Sequence, residues 1–98
     1  LTARRDRIAQ ALTVMAPALP AFERADILDH AVDSAGLRVA SPQAAAWAAL
    51  VAHARHVHTD YDGLLAEGYD VEAARFFVRD QINATLAAWG CRHRVQEQ

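Results

Sequence analysis

His53-Ala54-Arg55-His56-Val57-His58-Thr59-Asp60-Tyr61-Asp62-Gly63-Leu64-Leu65-Ala66-Glu67-Gly68 is the stretch that decides how this chain is folded. The apolar residues leading into it, Trp47, Leu50, Val51, Ala54 and Val57, follow a helical period. At His58-Thr59 that pattern breaks. Thr59 followed by an acid at Asp62 has the spacing of a capping box, although aspartate is shorter than the usual glutamate. The spacing predicts a kink or turn near His58, a short helix from Asp60 to Glu67, and Gly68 as its end. Two longer helices are therefore expected to meet through a short one at this point.

Upstream, Ser41-Pro42 marks the start of the third helix, with serine at the cap and proline at the first helical position. Its alanines, from Ala44 to Ala52, permit close approach by neighbouring helices, so it is expected to be the central and most buried one. A first helix from Thr2 to Ala16 is predicted by Ile8, Leu12, Met15 and Leu19, at spacings of four, three and four. Arg4, Arg5 and Arg7 at its start oppose the helix dipole and suggest a frayed, solvated end. Pro17 and Pro20 separate it from a second helix, Ala21 to Ala35. There Phe22, Ala25, Leu28, Ala31, Val32 and Ala35 form the expected apolar stripe, and Glu23, Asp26, Asp29 and Asp33 a solvated face. Gly36 is expected to stop this helix, leaving Leu37-Arg38-Val39 as an extended link that could tuck Leu37 and Val39 into the core.

Downstream, Asp70 is expected to cap the last helix, with Glu72 favoured by the dipole in its first turn. Ala74, Val78, Ile82, Thr85 or Leu86, and Trp89 form its stripe. Phe76 and Phe77 cannot both point inward, and Gly90 ends the helix. The expected architecture is all-α, a compact bundle of four main helices plus one short helix. Residues 1–90 would form one helical domain, and residues 91–98 a polar, disordered tail.

Composition narrows the classes. Ninety-eight residues suit one small domain, and alanine supplies much of the 53% hydrophobic content. A net charge of −2 argues against a dedicated nucleic-acid or membrane-surface protein, but not against a local basic patch. All ten basic residues are arginine. Cys91 is the only cysteine, so no intrachain disulfide can form, which fits a reducing, cytoplasmic setting. No apolar run approaches the length of a membrane span. No cofactor is implied, and an alanine-rich surface would suit packing of a second copy as a homodimer.

The candidate chemistry lies in the opening stretch. His53 and His56 share a helical face, and with Asp60 they are the weak candidates for a metal shell. The spacing is not that of the zinc hydrolases. No nucleophile stands beside a histidine, because Ser41 and Thr59 are read as caps, so no catalytic residue is assigned. His53, Arg55, His56, His58 and Tyr61, joined by Arg75 and Arg79 at one turn's spacing, could instead grip a phosphate, a base or an acidic partner. Structurally, Thr59, Asp62 and Gly68 would shape the short helix, Tyr61, Leu64 and Leu65 would pack inward, and Arg55 or Arg75 would satisfy Asp62.

Ala52-His53-x-Arg55-His56-x-x-Thr59-x-Tyr61-Asp62-x-Leu64-Leu65-x-x-Gly68, followed by Ala74-Arg75-x-x-Val78 and Leu86-x-x-Trp89, resembles the uncharacterised domain of unknown function 2293 family. The resemblance covers about Ala16 to Trp89 and is carried by the second half; Val71 stands where the family pattern would have arginine. It implies a recurring domain without naming a substrate, cofactor or partner. Some bacterial relatives carry it behind a longer basic, cysteine-containing region, on which pattern Leu1 would be an internal start. The expectation is a non-catalytic binding or interaction module for protein or nucleic acid. The alternative is a metal-dependent or histidine-based hydrolase, acting on nucleic acid.

Overall fold

The computed structural model describes residues 3–96, and these form five α-helices with no strand among them. The helices are α1 (Arg4–Met15), α2 (Ala21–Asp33), α3 (Pro42–His58), α4 (Tyr61–Ala66) and α5 (Val71–Ala88). A 3-10 turn, Ala35–Leu37, links α2 to α3. Four long helices and one short one match the expected bundle. Thr2, the expected first residue of the first helix, lies outside the described residues.

Local chemistry sets most boundaries. Ser41 Oγ accepts from the Ala44 N–H at 3.0 Å, and an Asp70 carboxylate oxygen accepts from the Ala73 N–H at 2.8 Å, so α3 and α5 begin as read. Gly68 and Gly90 have φ of 105° and 83° and close α4 and α5. In each case the residue after the glycine bonds back five positions, Tyr69 to Leu64 and Cys91 to Leu86. Gly36 does not end α2 in this way. It has no positive φ and sits within the 3-10 turn, because the chain turns again before α3 rather than running extended.

The core is built around α3, which packs against α1, α2 and α5, while α4 closes one end against α5. Ile8, Leu12, Ile27, Leu50, Ile82 and Leu86 are its largest fully buried side chains. Ala45, Ala46, Ala49 and Ala54 are also buried, so α3 approaches its neighbours through small residues. Tyr61 and Trp89 are buried as expected, and Leu64 and Leu65 pack against the core.

Several faces differ from the sequence reading. On α2, Phe22 is 74% exposed, and the inward line is Glu23, Ile27 and Ala31. Leu37 packs on the core but Val39 is 98% exposed, and Val57 lies outside as well. Phe76 and Phe77 are both exposed, stacked edge to face with each other, and Phe77 meets Tyr69. The start of α1 is tied rather than frayed: Arg4 donates to the carbonyls of Leu37 and Ala40, both at 2.8 Å, and Arg5 pairs with Asp29. Beyond α5, Cys91 is buried, and Asn83 both accepts from the Val95 N–H and donates to its carbonyl. The chain is thus held against the bundle through Val95, and Glu97 and Gln98 of the expected tail lie outside the described residues. No helix is long and apolar enough to cross a membrane among the residues described.

Candidate functional site

The end of α3 presents two different faces. At about 100° per residue, positions two apart on a helix point to nearly opposite sides. His53 therefore turns toward α2, and Arg55 toward α5.

On the α2 side, Glu23 is 6% exposed and is the one buried charged residue among those described. Its Oε1 lies 3.1 Å from His53 Nε2 and also contacts His58 Nε2. Both imidazoles lean on Trp89, with ring centroids 6.1 and 5.5 Å from the indole. Burial pushes the Glu23 carboxyl upward. The hydrogen bonds and charges of His58 and His53 outweigh that and hold it below its usual 4.5. A carboxylate that titrates lower in the fold stabilises it above the ordinary value, and loses that contribution as the pH falls through the lowered one. In buffer freed of divalent ions, denaturant unfolding of the wild type should therefore gain on Glu23→Gln as the pH rises from below the lowered value to the usual 4.5. A constant gap would mean that the fold does not shift the Glu23 pKa, and a gap that narrows as the pH rises would mean that burial keeps the carboxyl neutral.

On the α5 side, Arg55 and Arg75 border a groove of about 560 Å³ together with Arg79, Phe76, Ile82 and Val95. Arg55 lies over the Tyr61 ring, 5.5 Å from guanidinium carbon to centroid. Its Nε is buried without a hydrogen-bond acceptor. Burial and then the charge of Arg75 lower the Arg55 pKa, partly offset by Tyr61. Among the described residues no carboxylate lies within ion-pair distance of Arg55 or Arg75. Glu72 stands at the rim without pairing with either. Arg79 lies over the exposed Phe76 ring at 5.3 Å.

The expected candidates thus divide into groups. His53 and His58 converge on Glu23; Arg55, Arg75 and Arg79 line the groove; Tyr61 is buried between Arg55 and the edge of His56. His56 Nδ1 meets the Asp62 carboxylate at 2.7 Å on the surface. This corrects the expected arginine–Asp62 pair: Arg55 is drawn into the groove instead. His56 is likewise not brought to His53, and Asp60 joins neither, so the suggested His53, His56 and Asp60 shell does not assemble. The expected Thr59–Asp62 capping box does not form, since Asp60 stands at the cap position of α4 without a side-chain cap bond and Asp62 pairs with His56. Thr59 holds the corner instead by donating to the Arg55 carbonyl and accepting from the Tyr61 N–H at 3.1 Å. The partner missed in the sequence is Glu23. Its signal was available, since Glu23, Ile27 and Ala31 recur at steps of four, and placing Ile27 in the apolar stripe carries Glu23 inward with it.

A family model described as an uncharacterised conserved protein, DUF2293, matches residues 11–90. No curated protein matches the chain, and no solved structure does.

Proposed function

The chain belongs to the DUF2293 family, and from that premise, which names no ligand, we propose that it is a non-catalytic binding module that takes a single strand of nucleic acid along the groove between α3 and α5. One observation carries the reading. Arg55 and Arg75 face the same groove with no carboxylate in ion-pair distance among the described residues, and Arg55 keeps a buried Nε without an acceptor there. Two like charges held together in a partly buried place are a cost that a bound anion removes. A phosphate also offers the acceptor oxygens that a guanidinium fork fits. Phe76 lies under Arg79 at the groove, and the exposed rings of Phe77 and Tyr69 continue outward from it, a run of faces on which bases could stack. That pairing of arginine with aromatic faces favours a nucleic-acid strand over an acidic peptide, although the overall charge is −2.

Fluorescence anisotropy with a labelled single-stranded oligonucleotide tests this. Saturable binding should weaken with salt along a logarithmic slope of about −1.4 to −2.1, as two or three neutralised phosphates require. Equal or tighter binding of an acidic peptide, or no binding of the strand at low salt, would overturn it.

A second reading, a metal-dependent or histidine-based hydrolase acting on nucleic acid, draws on the convergence of Glu23, His53 and His58. In the same titration it would appear as metal-dependent shortening of the strand.

A further inference from the structure

We propose that Glu23, His53 and His58 form a binding site for a divalent transition-metal ion of the zinc class, separate from the arginine groove. One ligand atom from each of the three residues lies within 4.8 Å of the others, and Glu23 Oε1 contacts both Nε2 atoms. Metal–ligand bonds of about 2.0–2.1 Å arranged as a tetrahedron put ligand atoms about 3.3 Å apart. The 3.1 Å between His53 Nε2 and Glu23 Oε1 is close to that edge. Only small side-chain movements would admit an ion at the centre.

The ligand types decide the class of ion. Two imidazoles and one carboxylate suit zinc and its neighbours in the first transition row, whereas calcium and magnesium prefer oxygen alone. Proton balance is simple. Each Nε2 offers its lone pair, so a neutral imidazole carries its proton on Nδ1, and a protonated one releases a proton as the ion enters. One carboxylate then offsets half of the ion's charge.

The surroundings are those of a prepared site. Glu23 lies in the first turn of α2, and His53 and His58 in the last turns of α3, so two packed helices hold the ligands. Glu23 and His53 are inside, with side-chain exposures of 7% and 13%, while His58 is 36% exposed. That opening leaves room on the solvent side for water or another ligand to complete the shell. His58 is about 140° around the helix from His53 by regular geometry. It reaches the cluster as the last residue of α3, with its ring against Trp89. A bound ion would tie the end of α3 to the start of α2 beside the end of α5.

Trp89 supplies the readout. The full chain carrying Trp47→Phe, stripped with chelator, would be titrated with Co2+ while its fluorescence is followed, and zinc content would be measured after dialysis of the unsubstituted chain. The expected result is one ion per chain and saturable quenching of Trp89, with affinity reduced at least tenfold by His58→Ala and by Glu23→Gln. His56→Ala and Arg75→Glu should leave the titration unchanged, which separates this site from the groove. Circular dichroism establishes that each variant is folded; if Glu23→Gln does not fold, His58→Ala decides alone. No saturable binding by millimolar Co2+ or Zn2+, or binding that survives His58→Ala in full, would overturn the proposal.

Discussion

Leu50→Ala is expected to destabilise the domain by about 2–5 kcal/mol, measured by urea unfolding at neutral pH. Leu50 is fully buried on α3, the helix that packs against α1, α2 and α5 at once. Truncation removes apolar area and leaves a cavity in the core. Its neighbours on α3 are mostly alanines, whose methyl groups cannot swing into the space. A domain of this size is worth about 5–15 kcal/mol in total, so the loss is a large share of the whole. Val57→Ala is the control, because Val57 lies on the exposed side of the same helix and should cost well under 1 kcal/mol. Equal effects from the two would mean that α3 is not the centre of the core.

Arg75→Glu is expected to weaken binding of the single strand by at least about tenfold, since a charge-assisted hydrogen bond contributes about 1.5–3 kcal/mol and a repulsive charge takes its place. The expected effect on stability has the opposite sign or none. After burial, the charge of Arg75 is the next cause that lowers the Arg55 pKa, so the two guanidiniums repel across the groove. The new carboxylate would pair with Arg55 in the position proposed for a phosphate. Weaker binding with an unchanged or higher Tm is therefore the signature of a site built for an anion. If the substitution instead lowered the Tm and left binding intact, Arg75 would be part of the scaffold and the groove would not be the binding surface.

The helices and their ends were legible because the interactions that define them are short in sequence. Ser41 reaches Ala44, Asp70 reaches Ala73, and the glycine closures at Gly68 and Gly90 span five residues. The alanines from Ala44 to Ala52 also marked α3 as the central helix. What the apolar period cannot give is the angle at which each helix is rotated about its own axis once several stripes compete. On α2 the choice lay between a face led by Phe22 and one led by Ile27. Burying Ile27 carried Glu23 inside and left Phe22 in water. Val39 and Val57 fell outside for a similar reason, since apolar character alone does not guarantee a neighbour.

The amino-acid sequence by itself determined the all-helical class, the caps of α3 and α5, the glycine stops of α4 and α5, and the concentration of histidine and arginine at the end of α3. Tertiary structure alone decided which of them meet. Glu23 is 30 residues from His53 and 35 from His58 in the chain, so only the docking of α2 on α3 brings the three together. Arg55 and Arg75 likewise face one groove only because α5 packs beside α3. His56, the motif residue nearest to His53 by helical geometry, turned outward to Asp62 instead. Hydrogen bonds within a turn are set by local backbone geometry, whereas the pairing of charges across helices follows from how the apolar faces dock, and that docking belongs to the whole chain.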